Sequence, residues 1–160
     1  MEKKYRENVG LMIVNDQGLV WIGERVNSEK FGYKYQMPQG GIDKGETILE
    51  AAYRELWEET GILPEKVEFL AESKEWYQYD FFEPLEYKDG LYHGQKQKWV
   101  LFRFKGIDAD FNLTVHPEEI EFSSFFWSPV NDIVQMVVPF KRDVYSAVIE
   151  EFLPLFKNAF

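Results

Sequence analysis

The chain has 160 residues, of which 45% are hydrophobic and 18% aromatic, and it carries a formal net charge of −10 with no cysteine. That length and apolar content suit one domain, residues 1–160, with a sizeable core, and they exclude a disordered chain. The missing cysteines exclude a disulfide framework and a thiolate metal site, and the negative balance argues against binding along duplex nucleic acid, which takes a basic surface.

In chain order, the N-terminal segment MEKKYRENVG has no apolar signal region and no apolar run approaches membrane-spanning length, so a cytoplasmic location is expected. Residues 9–14 and 19–23 are short apolar runs around Asn15-Asp16-Gln17-Gly18 and predict a β-hairpin. Residues 24–35 are polar with a glycine and read as a loop. Thr47 with Glu50 three residues on is a capping box, which starts a helix at Thr47. Gly61 suits a left-handed closing residue, and Pro64 prevents continuation. Residues 67–73 and 75–82 are strand candidates, 84–94 a polar turn region, 98–106 a strand and 107–114 a loop with a short extended piece. Residues 122–129 give another strand, 130–138 a short helix, and 140–156 an amphipathic final helix with Val144, Val148, Ile149, Phe152 and Leu153 at helical spacing.

The stretch from Gly40 to Ile62 carries the chemistry. Glu55, Glu58 and Glu59 lie at i, i+3 and i+4, along one edge of the predicted helix, with Leu49, Ala52, Tyr53 and Leu56 on the adjoining face. Like charges so placed destabilise a helix by a few tenths of a kcal/mol. Arg54 can screen and orient part of this charge but cannot neutralise three carboxylates. A hard divalent cation with oxygen ligands is the natural complement, and Mg²⁺ fits carboxylates combined with substrate phosphates. Gly40 and Gly41 permit close backbone approach, so that a carbonyl can reach a metal held by the glutamates.

Gly40, Glu46, Arg54, Glu55, Leu56, Glu58, Glu59, Gly61 and Ile62 together resemble the signature of the Nudix hydrolases at every defined position. The resemblance implies an α/β fold, an α/β/α sandwich with a mixed central sheet, and metal-dependent hydrolysis of a phosphoric anhydride. Tyr5-Arg6, residues 36–41, residues 94–99 and residues 139–145 are similar to the RNA pyrophosphohydrolase branch, and that likeness runs from Tyr5 to about Phe152. It implies removal of pyrophosphate, or of phosphates singly, from an RNA 5′ end to leave a monophosphate and so promote decay. The competing expectations are a diadenosine polyphosphate hydrolase and, from another class, an inactive nucleotide-sensing domain.

The same resemblance assigns roles by position. Glu55, Glu58, Glu59 and Glu121 are expected to be catalytic and, with the Gly40 carbonyl, to hold two or three Mg²⁺ or Mn²⁺ ions. Glu118 and Glu119 are alternatives to Glu121. Arg6, Arg25 and Lys98 are expected to meet phosphates, Tyr79 to line the phosphate channel, and Val138, Phe140 and Lys141 to form a base pocket. Tyr35 departs from the tryptophan common in the family, and residues 27–34 form a longer loop than usual. A monomer acting on an RNA end or a dinucleoside polyphosphate is expected, with neither membrane nor long duplex as partner.

Overall fold

The structure is a computed structural model that describes residues 3–26 and 32–157, so most of the long loop before Tyr35 lies outside the described residues. Its frame is one sheet of eight strands among the described residues: β1 (Tyr5–Val14), β2 (Val20–Arg25), β3 (Tyr35–Gln36), β4 (Gln39–Gly41), β5 (Val67–Glu72), β6 (Tyr77–Tyr87), β7 (Gly90–Phe104) and β8 (Phe122–Ser128). β1 runs parallel to β7 from Tyr5↔Gly94 to Val14↔Arg103, while β2–β8, β1–β4 and β6–β7 are antiparallel. The sheet is therefore mixed, as expected.

Residues of β1 and β7 alternate between faces. Met12, Val14, Trp99 and Leu101 face α3 (Arg142–Phe156) and the short α2 (Ile133–Met136), while Val9, Leu11, Ile13, Val100 and Phe102 face α1 (Ile48–Thr60). Helices thus cover both faces, which is the α/β/α sandwich.

The local signals around α1 hold. Thr47 accepts from the Glu50 amide at 3.1 Å while the Glu50 carboxylate accepts from the Thr47 amide at 2.9 Å. Gly61 closes the helix at φ 76° with its amide on the Trp57 carbonyl. A helix of 13 residues is marginal in water on its own, so its buried stripe of Ala51, Ala52 and Leu56 fixes it. Cutting the fully buried Leu56 back to alanine would cost about 2–5 kcal/mol.

Other elements differ from expectation. Residues 84–94 are not a turn region: β6 continues to Tyr87 and β7 begins at Gly90, which leaves Lys88 and Asp89 as the connection. Pairing decides this, because Leu85↔Tyr92 and Tyr87↔Gly90 extend the ladder past an irregularity between Asp80 and Leu85 that accommodates Pro84. In residues 107–114 the local structure is a 3₁₀ turn, Asp108–Asp110, in place of an extended piece. β1 also starts four residues early, at Tyr5, which brings Arg6 alongside β7.

Candidate active site

The carboxylates of α1 meet the sheet at β4. Glu55 and Glu59 are buried and Glu58 half-buried, and with Gly40, Gln39, Arg6 and the loop residues Glu119 and Glu121 they line a cavity of about 190 Å³. Gly40 is required here by space, since a Cβ on it would stand 2.0 Å from Cδ of Glu55. Glu121 immediately precedes β8, and its carbonyl accepts from the Val26 amide at 3.0 Å, so the end of β2 anchors the loop that delivers it.

Arg54 organises the edge. Its guanidinium donates to both Glu46 oxygens at 2.7 and 2.8 Å, to Glu55 at 2.7 Å, to Glu58 at 3.0 Å and to the Gly41 carbonyl at 2.8 Å. Glu46, singled out only as a signature position, is thus the bidentate partner that aims Arg54. These bonds draw Glu55 and Glu58 aside, and among the described residues no three acidic or histidine side chains converge as a ready metal cage.

The charge that remains is strained. Burial pushes the Glu55 carboxyl up to about 7 against the opposing pull of Arg54. Glu59 is raised well above the ordinary carboxylate range by burial first and then by repulsion from Glu55 and Glu121. Its Oε2 is buried without a hydrogen-bond partner. An orphaned carboxylate oxygen, five glutamates around one cavity and a glycine that keeps the wall open fit a hard divalent cation with oxygen ligands.

A second cavity of about 160 Å³ adjoins the first, and Gln39 lines both. Arg25, Tyr79, Val138, Phe140 and Lys141 all line it, so five of the expected substrate residues come together. Tyr79 and Phe140 stack at 5.5 Å with 26° between their planes. Lys141 is buried, donates to Oε1 of Gln36 at 2.8 Å and is pushed down to about 7, by burial first and then by Arg25. Between the two cavities Arg25 Nε lies 3.3 Å from Glu121 Oε1. An irregularity in β2 between Glu24 and Arg25 re-aims this side chain.

Lys98 is not brought to either cavity. It sits on the opposite face of β7 from Gln95 and Gln97, where its ammonium donates to the Ser73 and Lys74 carbonyls at 3.0 Å each. Arg6 does reach the carboxylate cavity.

Residues 4–148 match the NUDIX domain. The chain belongs to that family.

Among NUDIX relatives, the RNA pyrophosphohydrolase of Roseobacter denitrificans is 50% identical over 151 residues, which covers 92% of this chain and 91% of that protein. The RNA pyrophosphohydrolase of Novosphingobium aromaticivorans is 48% identical, with 94% of each chain covered. In fold, the dihydroneopterin triphosphate pyrophosphohydrolase of E. coli superposes with a TM-score of 0.70 at 16% identity, over 93% of this chain and 99% of that one.

Within this NUDIX site lies a set of amides that sequence reasoning missed, with Asn8, Gln95 and Gln97 buried and Gln39 half-buried. The Gln97 amide donates to Asn8 at 2.7 Å and to Gln39 Oε1 at 3.1 Å, and the Gln39 amide donates to Gln95 at 3.1 Å. Tyr79 donates its hydroxyl to the same Gln95 oxygen. Each glutamine looks unremarkable in a strand, and only pairing across β1, β4 and β7 turns them into one relay between the cavities.

Proposed function

We propose that this NUDIX protein is an RNA pyrophosphohydrolase that converts a 5′-triphosphate or diphosphate end to a 5′-monophosphate. The observation that carries the reading is the adjacency of the two cavities, a carboxylate pocket sharing Gln39 with an aromatic and cationic pocket. Relatives that match over nine-tenths of their length and bear that name support it.

The overall step adds water across a phosphoric anhydride, and releases pyrophosphate and a proton from a triphosphate end. Glu55, Glu58, Glu59, Glu121 and the Gly40 carbonyl would hold divalent cations, Mg²⁺ or Mn²⁺ and two or three in number, which when bound would supply neutralisation of phosphate charge and activation of water. Glu55 or Glu121 takes the proton of the attacking water. Arg6 steadies phosphates at the mouth of the carboxylate cavity. Arg25 meets phosphates between the two cavities, while Phe140, Val138 and Lys141 hold a base, and a stacked base contributes about 1–3 kcal/mol with little regard to sequence. Arg54, acting through Glu55 and Glu58, is a positioning residue. The enzyme works as a cytoplasmic monomer in which residues 1–160 form one domain.

The test is product analysis with Mg²⁺ of a 5′-triphosphorylated RNA and diadenosine tetraphosphate at equal concentration. Much faster conversion of the RNA supports the reading. A preference for the dinucleotide replaces it with a polyphosphate hydrolase and removes Phe140 as an RNA base site.

A further inference from the structure

A third cavity among the described residues, of about 760 Å³, is neither of the two just described. It opens beside them, sharing Arg6 and Glu119 with the carboxylate cavity and Tyr87 with the aromatic one. It is built by the start of β1, the segment before α1 and the tip of the β6–β7 hairpin.

Its chemistry differs from that of the chain as a whole. In a protein of net charge −10, five cations line it: Lys4, Arg6, Lys44, Lys88 and Lys96. Of the four carboxylates among its walls, Glu7 is paired with Lys96 at 3.5 Å and Asp43 with Arg54 at 3.4 Å. Lys44 and Lys88 are exposed, and among the described residues neither makes an ion pair. The cations alternate with rings, for Lys4 lies 4.4 Å over Tyr92 and Arg6 4.7 Å over Tyr87. Exposed lysines along an open groove suit the phosphates of a flexible single strand, and the Tyr87 and Tyr92 rings hold Arg6 and Lys4 in its walls.

We propose that this groove holds the backbone of the RNA chain downstream of the nucleotides that occupy the two smaller cavities. The inference rests on the RNA reading above for which end of the strand lies where. Tyr87 and Arg6 make the path continuous, and a pocket of this size exceeds what a terminal phosphate needs. The consequence is that affinity grows with RNA length in a chain whose overall charge repels polyanions, and that dinucleoside polyphosphates gain nothing from the groove.

The experiment measures binding by fluorescence anisotropy in EDTA of a single-stranded RNA 12-mer with a 5′-hydroxyl, against the wild type, K44E/K88E and K105E/K157E. The last variant changes net charge equally on surfaces outside the groove. The expected result is about tenfold weaker binding for K44E/K88E alone at moderate salt, and a salt slope smaller by about 1.4 for two lost phosphate contacts. Hydrolysis of 5′-triphosphorylated RNAs of two and twelve nucleotides should show a lower KM for the longer one in wild type, with that advantage lost in K44E/K88E. Equal weakening in both variants, or length-independent behaviour in wild type, overturns the groove. If wild type binds the 12-mer through Lys44 and Lys88 yet leaves triphosphate ends intact, the groove stands and the proposed activity falls.

Discussion

Arg25 and Glu121, 3.3 Å apart, form the partition between the carboxylate cavity and the aromatic one. The pair is about one-third exposed on each side, so its own strength is at most about 1 kcal/mol. Its larger consequence is competition, because a cation drawn to Glu121 must take it from Arg25. Arg25→Ala should lower the Mg²⁺ concentration for half-maximal activity by up to about fivefold, and should lower kcat/KM for triphosphorylated RNA by about 10–100-fold through the lost charged contact. Steady-state kinetics across a Mg²⁺ series reads both. A metal midpoint that rises would show that Arg25 supports the ligand set in place of opposing it.

Glu59 is buried with one carboxylate oxygen unpartnered. With its carboxyl raised above the unfolded value, it stabilises the metal-free protein fully only below the ordinary glutamate pKa, and that contribution is lost as pH rises through the folded value. Glu59→Gln removes the burdened charge and keeps an acceptor oxygen. In EDTA at pH 8 the variant should melt about 2–8 °C above wild type, from about 1–2 kcal/mol. Adding Mg²⁺ should raise the melting point of wild type and leave the variant nearly unmoved. Equal Mg²⁺ gains in both proteins would remove Glu59 from the ligand set.

How far these residues were legible follows from where their signals lie. Thr47, Glu50 and Gly61 act within one helix, so the caps of α1 could be read directly, and the glutamate edge followed from helical spacing. Glu121 and the Arg25 pocket needed the resemblance, since β8 and β2 are joined only by tertiary pairing. Polar Glu86, Lys88 and Asp89 with Pro84 look like a loop, yet they belong to a hairpin whose partner supplies the hydrogen bonds. Lys98 is assigned to phosphates by its position in the resemblance, which does not show the face of a 15-residue strand on which it falls. Gln39, Gln95 and Gln97 fall in segments that carry the resemblance, but nothing local shows that they bond to one another.

Gly40→Ala tests the geometry of the site apart from its charge. The added methyl would start 2.0 Å from Glu55 Cδ, so the carboxylate or β4 must move. Overpacking of this kind costs about 1–3 kcal/mol, while a displacement near 1 Å costs about 100-fold in rate. The variant should therefore keep its circular dichroism spectrum and lose about 100-fold in kcat. Activity within a few-fold of wild type would mean that Glu55 reaches its working position from elsewhere.

Lys141 gives the clearest pH dependence outside the carboxylates. Its folded pKa of about 7 lies below the usual lysine value of 10.5, so between those limits the unfolded chain holds a proton that the folded one does not. Stability from this group therefore rises with pH across that window, and below it the fold must carry a buried ammonium whose direct partner is the Gln36 oxygen. Lys141→Met keeps the length of the side chain without the charge, and replacing a buried ion by an apolar group is often neutral or stabilising by about 1–4 kcal/mol. At pH 6 the variant should be more stable than wild type by about 1–3 kcal/mol, with the gap closing toward pH 10. Urea unfolding at both pH values measures it. A gap that stays constant would place the ammonium in contact with water, and would leave the aromatic cavity without a buried cation to read a base.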